Sequence, residues 1–358
     1  MLKLLFKVKC GFAVFVFLVK PVKDVSMKYF VATFLLLGTT SPIWAADGQI
    51  ELRWSERLND GAIHRTIDQR TVEAVAKQPS HSIDTPIPLH SQSVLVFDQE
   101  TGAQLLAKNA QLQTPIASIT KLMTAMLILD ANQDMEDRII ITPQDRDTLK
   151  GTGSRLAIGS FYTRAQLLHL ALIASDNRAA HALGRRYPGG MDRFVEMMNR
   201  KAQQLGMTNT VYVEPTGLDR ANRSTATDLA RLVNHAHQNY PEIRDISSSG
   251  RYTLGTQRVV LKKRHHKAKV LYRTVAFNNT NRLTRENGWE IGLSKTGFIN
   301  EAGHCLVMQA RVAQKNVIIV LLDAVGTYNR IGDAARIKHW LESLPASRLG
   351  EAPTAAKT

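Results

Sequence analysis

Three apolar segments near the C-terminal end, residues 289–295, 305–312 and 317–324, follow one another with only short turns at 297–303 and 314–316 between them. Strands joined by connections this short can pair only antiparallel, because a parallel partner needs a crossover of a dozen or more residues. A fourth strand, residues 93–97, opens the ordered part of the chain, and the turn at 98–102 lets residues 103–107 return as a hairpin. Between these ends the pattern is helical. Residues 116–129 are almost all apolar and read as a buried helix, with Thr114 as its cap and Pro115 at its first position. Residues 163–174, 177–186 and 191–205 follow, then 228–237, where Thr225 and Asp228 have capping-box spacing. Residues 138–142 read as a short strand, and 251–260 and 270–277 as two arms around a basic bend. Residues 331–344 make a closing amphipathic helix. The expected class is α+β, an antiparallel sheet flanked by helices plus an all-helical cluster. Strand and helix do not alternate often enough for a doubly wound fold.

The first 45 residues do not read as part of that fold. Lys28 precedes an apolar run, 29–37, and small residues end it at Ala45 and Ala46, the layout of a secretory signal starting at Met27. A membrane anchor is the alternative, but nine or ten apolar residues fall short of the ~20 needed to span a bilayer. A second apolar stretch, 12–19, leaves Met1 and Met27 both open as the start. The whole chain has 46 Lys+Arg against 31 Asp+Glu. Removing residues 1–45 takes away six Lys and one Asp, leaving 40 against 30, a net charge of +10. An exported basic protein meets anionic surfaces such as cell wall, phospholipid or lipopolysaccharide rather than nucleic acid. Cys10 leaves with the signal, so Cys305 has no partner for an intramolecular disulfide and reads as a small core residue. Residues 46–90 read as a polar extension, 91–345 as the single folded domain, and 346–358 as a disordered tail.

Three short patterns carry chemistry. Ser118 and Lys121 lie at i and i+3 on the buried helix, about 5–6 Å apart at Cβ. A hydroxyl is a poor nucleophile without an adjacent base, and burial lowers a lysine's pKa far enough for it to act as one. On their own the two read more simply as a structural serine and a snorkelling lysine. Ser175, Asp176 and Asn177 stand between two helices, where they are equally a helix cap or a proton relay with a backbone-binding amide. Lys295, Thr296 and Gly297 end a strand, as a plain strand terminus or as a carboxylate-binding edge open to an extended peptide.

Each pattern occurs once, in the order Ser-x-x-Lys, Ser-Asp-Asn, Lys-Thr-Gly. Together they resemble the motif set of β-lactamases and penicillin-binding proteins. With the stretches at 115–124, 207–218 and 224–229, the chain is similar to the low-molecular-mass penicillin-binding proteins of the D-Ala-D-Ala carboxypeptidase/endopeptidase family over about residues 90–345. The resemblance implies a β-lactamase/DD-peptidase-like fold and a periplasmic enzyme needing no cofactor and no metal. Its implied partners are peptidoglycan peptides, with β-lactam antibiotics as covalent inhibitors. It implies Ser118 as acylated nucleophile, Lys121 as its base, Ser175 as proton relay and Asn177 as contact to the substrate backbone. Lys295 and Thr296 would face the terminal carboxylate, with Lys295 also biasing Lys121 toward neutrality. The backbone N–H groups of Ser118 and Phe298 would form the oxyanion hole.

Lys262, Lys263, Arg264, His265, His266, Lys267 and Lys269 read as a solvated basic loop or a contact to anionic wall polymer, and the two His lack acidic or thiol partners for a metal. A serine β-lactamase needs a carboxylate to activate the deacylating water, and Glu214 is the candidate, although it reads better as a loop residue. Only 61 residues follow Gly297, enough to finish the sheet and the last helix, so a one-domain form is expected. The stretch at 295–308 resembles the family's one-domain D-alanyl-D-alanine endopeptidase branch. The expected activity is therefore hydrolysis of D-alanyl cross-links, with D-Ala-D-Ala carboxypeptidase activity as the alternative. Small residues Asn300, Ala302 and Gly303 lead to the expectation of open space past the strand end for a large leaving group.

Overall fold

The computed structural model describes residues 86–261, 269–326 and 328–345, and upstream only the paired dipeptides Val8–Lys9 and Phe12–Ala13. Apart from those dipeptides, the predicted export segment lies outside the described residues, as do the extension up to residue 85, the His265–His266 pair with most of the basic run, and the tail from 346. The chain divides into two units, Met1–Ser80 and His81–Thr358, and the second contains every element below.

The elements in order are β1 (Ser91–Asp98), β2 (Gln104–Lys108), β3 (Thr114–Pro115), a 3-10 turn (Ala117–Ile119) leading into α1 (Thr120–Asp130), β4 (Arg138–Ile140), β5 (Phe161–Thr163), α2 (Arg164–Ile173), α3 (Asn177–Arg185) and α4 (Gly190–Gln204). Then come β6 (Arg223–Ser224), α5 (Ala226–Asn239), α6 (Pro241–Ser248), β7 (Arg251–Leu261), β8 (Lys269–Asn278), β9 (Glu290–Ile299), β10 (Gly303–Val312), β11 (Lys315–Ala324) and α7 (Asn329–Ser343). The main sheet has the order β9-β10-β11-β1-β2 with every pair antiparallel, so the two ends of the folded unit build it together. This is the α+β architecture the segment order predicts.

The strands are apolar on both faces because both faces are covered. Side chains alternate across a strand. Val307, Ile318, Val320 and Leu322 join the core beneath α1, α2, α3 and α5. Their neighbours Leu306, Met308, Ile319 and Leu321 pack instead against Ile331, Ala334, Ile337 and Leu341 of α7. Asp333 of α7 then ties that helix to the start of β1. Its buried carboxylate accepts from the Ser91 N–H at 2.7 Å, the Ser91 hydroxyl at 2.6 Å and the His90 N–H at 3.0 Å, and pairs with Arg336.

Local structure departs from expectation at four places. Thr114 and Pro115 do not start the buried helix; they pair with Arg223 and Ser224, and Ile116 N–H donates to Asn222 O at 3.1 Å. The α-helix therefore begins at Thr120, after a turn in which Ala117 has φ +47°. Strand β9 does not end at Lys295 but runs on to Ile299, because β10 supplies partners for each residue from Lys295 on. Only half of the capping box forms. Thr225 accepts from Asp228 N–H at 3.1 Å, while the Asp228 carboxylate turns to Asn209 N–H and the Thr210 hydroxyl. Helix α6, which opens on Pro241, has no counterpart in the sequence reading. Cys305 is fully buried, as expected, and burial pushes its thiol up to about 11.

Candidate active site

Ser118 is placed on the 3-10 turn by two glycines. Gly217 has φ +83°, and a Cβ there would lie 1.9 Å from Ala117 O and 2.8 Å from Ser118 N. Gly297 on β9 approaches from another side, where a Cβ would lie 2.9 Å from Ile116 O and 3.1 Å from Ser118 N. Real Cβ atoms do not come this close, so only glycine at both positions lets loop and strand close on the turn. The turn itself is fastened by the Thr120 hydroxyl donating to Ala117 O at 2.8 Å.

Lys121, on the first turn of α1, is fully buried. Its Nζ lies 2.9 Å from Ser118 Oγ, 2.7 Å from Asn177 Oδ1 and 2.6 Å from Thr216 O. Desolvation lowers its pKa to about 8, against the opposing pull of Glu214, Asp176 and Asp147. The charged amine donates to all three neighbours. The neutral amine has two N–H groups and a lone pair, so the contact to Ser118 can reverse and let the hydroxyl donate.

Ser175 has φ +55°, a left-handed conformation that turns its hydroxyl toward β9. Lys295 donates to Ser175 Oγ and to Thr296 O, both at 2.9 Å. The Thr296 hydroxyl is held at 2.6 Å by that of Thr280. Lys295 is as buried as Lys121, and its pKa falls well below the usual lysine range through desolvation first, then repulsion from Lys121 and Arg330. Desolvation is the first cause of the shift at both lysines, and repulsion between two buried amines acts on each of them. Asp176 caps α3 by accepting from Ala179 N–H at 3.0 Å, so the middle residue of Ser-Asp-Asn is structural while its neighbours reach the two lysines.

The sequence reading missed several residues of this web. Thr216 supplies the carbonyl for Lys121, and Thr152 accepts from Asn177 Nδ2 at 2.8 Å. Arg330 of α7 donates to Gly297 O at 2.9 Å and Cys305 O at 3.2 Å. In a planar trans peptide C=O and N–H point in opposite directions, so this contact aims the Phe298 N–H toward the free edge of β9. Nothing in the spacing of Arg330 announces it; it lies 33 residues from Gly297 on another element. The Phe298 side chain is 51% exposed and stacks on His304, with ring centroids 4.3 Å apart.

Glu214 is occupied within its own loop. One carboxylate oxygen accepts from Thr216 N–H and hydroxyl at 2.6 and 2.5 Å, the other from Gly217 N–H at 2.5 Å and Asn222 Nδ2 at 2.9 Å. It organises the segment that backs Ser118 and is not free to activate water. Past Phe298, Asn300 and Glu301 are exposed and Ala302 is buried, and Glu301 reaches across to Lys150 at 2.5 Å.

Residues 77–326 match the D-alanyl-D-alanine carboxypeptidase family. The D-alanyl-D-alanine endopeptidase of Pseudomonas aeruginosa is 43% identical over 286 residues, covering 79% of this chain and 87% of that protein. The Escherichia coli D-alanyl-D-alanine endopeptidase is 40% identical over 271 residues, or 76% and 83% of the two chains. The crystal structure of penicillin-binding protein D2 from Listeria monocytogenes with cefotaxime bound superposes with a TM-score of 0.61 at 28% identity, covering 71% of this chain and 98% of that one. With its sheet, its glycine-clamped serine turn and its two buried lysines now in place, the chain belongs to the D-alanyl-D-alanine carboxypeptidase family.

Proposed function

We propose that the protein is a periplasmic serine DD-endopeptidase that cuts D-alanyl cross-links between peptidoglycan stems through an acyl-enzyme. The observation that carries this reading is the buried Lys121 amine, with a pKa near 8, against the Ser118 hydroxyl at 2.9 Å. Neutral Lys121 takes the hydroxyl proton as Ser118 Oγ attacks the D-alanyl carbonyl. The oxyanion forms between the N–H groups of Ser118 and Phe298. The C–N bond then breaks, the leaving amine takes its proton through Ser175 and Lys295, and water hydrolyses the ester. Lys295 and Thr296 bind the carboxylate of the leaving half, whose charge favours the protonated form of Lys295. Asn177 holds the substrate backbone, and Gly297 admits it to the edge of β9.

Two relatives named endopeptidases favour cross-links as substrate. The family's own description favours a terminal D-alanine, so carboxypeptidase activity is the second reading. By the same chemistry β-lactams acylate Ser118, in line with the cefotaxime-bound neighbour. Residues 1–45 serve as an export signal, residues 46–90 as an extension, and the basic surface as a loose, salt-sensitive attachment to wall or membrane. Among the described residues no helix is long and apolar enough to cross a membrane. Incubating the purified protein with cross-linked muropeptide dimers and weighing the products tests the reading. Monomers with unchanged pentapeptide ends identify an endopeptidase, and loss of terminal alanine alone identifies a carboxypeptidase.

A further inference from the structure

The Lys150–Glu301 ion pair joins two segments 151 residues apart that face each other across the site. Lys150 belongs to a loop built to hold it. The Asp147 carboxylate accepts from the N–H groups of Leu149, Lys150 and Thr152 at 2.8, 2.9 and 2.8 Å, and from the Thr152 hydroxyl at 2.6 Å. Thr152 in turn contacts Asn177, one bond away from Lys121. Glu301 stands in the β9–β10 turn, three residues past Phe298, a span of about 10 Å at most. Both side chains are about one-third exposed, at 29% and 32%. An ion pair that wet contributes little to stability. Its position is therefore what needs explaining.

On the reading above, the substrate's direction follows from β9. The leaving half's carboxylate lies at Lys295 and Thr296, and the carbonyl under attack at the Phe298 N–H. Continuing along the strand, the acyl half runs toward Glu301. The ion pair lies across that path. We propose that Lys150 is a specificity-determining residue that binds a carboxylate at the tip of a side chain on the acyl half of the substrate, exchanging it for Glu301. The residue concerned is the one preceding the D-alanine that becomes the acyl group. Two exposed apolar side chains suit the aliphatic stem of such a residue: Leu149, next to Lys150 and 60% exposed, and Phe298, three residues before Glu301. Charge agrees with the exchange. Arg220 also acts on Glu301, so an anion entering the gap is met by two cations once Glu301 moves aside. The neighbouring acid, Asp147, is already satisfied by its own loop. With no anionic substrate present, Glu301 is the stand-in that keeps Lys150 pointed across the cleft.

The test uses two N-acetylated peptides ending in D-Ala-D-Ala, identical except that the preceding residue ends in a carboxylate or in the matching carboxamide. The wild-type protein should prefer the carboxylate by roughly tenfold in kcat/KM, the effect of one charge-assisted hydrogen bond less the loss of the Glu301 pair. Lys150→Met should bring the ratio to about 1, Lys150→Arg should keep it, and Glu301→Gln should raise it, all through KM rather than kcat. Equal rates on both peptides in the wild type, or an unchanged ratio in Lys150→Met, would overturn this assignment alone. If only cross-linked dimers are cut, the same carboxylate and carboxamide pair built into the donor stem of a dimer gives the ratio, and failure to hydrolyse peptides and dimers alike would overturn the peptidase reading and this assignment with it.

Discussion

Gly217 and Ala117 are packed so closely that a single methyl group on the glycine would meet the alanine's carbonyl oxygen at 1.9 Å. The contact is backbone against backbone, so no rotamer change can relieve it. Gly217→Ala must therefore move either the loop or the turn that bears Ser118. The φ of +83° adds its own cost, about 1–2 kcal/mol for a residue with a Cβ. Penicillin acylation of the variant should fall by at least about a hundredfold, since small misplacements at a reacting centre have effects of that order. Stopped-flow acylation beside a melting curve separates lost geometry from lost fold.

The pH profile of acylation reports Lys121. Its pKa is lowered from 10.5 to about 8, so the neutral, proton-accepting form is the minority at pH 7 and gains as pH rises. Acylation should climb through pH 8 and level off above it. Repulsion between the two amines is mutual, so Lys295→Met should move the midpoint upward as well as weaken ligands that carry a carboxylate. An unmoved midpoint would leave desolvation of Lys121 as the whole cause and Lys295 as a binding residue only.

Glu214→Gln distinguishes the loop role from that of a deacylating base. The carboxylate raises the Lys121 pKa, so its neutralisation should shift the acylation midpoint below that of wild type. Loss of charged acceptors for Gly217 and Thr216 should lower stability by about 1–3 kcal/mol. The penicilloyl adduct, followed by intact mass, should decay within about threefold of the wild-type rate, well short of the 10²–10⁴ that general-base catalysis contributes.

Arg330→Met removes the donor to Gly297 O and Cys305 O and frees the peptide that presents the Phe298 N–H. Loss of one oxyanion donor costs about 10²–10³ in rate, so a loosened one should cost roughly tenfold or more. The deficit should appear in kcat more than in KM.

Asp333→Asn tests the staple between α7 and β1, remote from the chemistry. Three donors from His90 and Ser91, with Arg336, lose their charged acceptor. Stability should fall by about 3–5 kcal/mol, the usual cost of breaking a buried charged contact. Folded protein should still acylate at the wild-type rate.

Pattern and spacing along the chain suffice for the elements and for the chemistry available to them. Apolar runs spaced by short turns dictated an antiparallel sheet, and the run at 116–129 dictated a helix buried from Thr120 to Ile128. Ser118, Lys121, Ser175, Asn177, Lys295 and Thr296 were legible because reactive residue types stand at short, fixed spacings within one element or one loop. What the tertiary structure decided is how the pieces face one another. Gly217, Thr216 and Arg330 gain their roles only where loops and α7 meet the nucleophile turn and β9, at separations of 33 to 100 residues that carry no local pattern. The 3-10 turn at Ala117–Ile119 was hidden for the same reason, since a long-range pairing with Arg223 and Ser224 overrides the helical preference of Thr114 and Pro115. The pKa of a lysine is likewise no property of its sequence neighbours. Lys121 and Lys295 become candidates for proton transfer only when packing removes their water, and the depth of that burial is set by the whole fold.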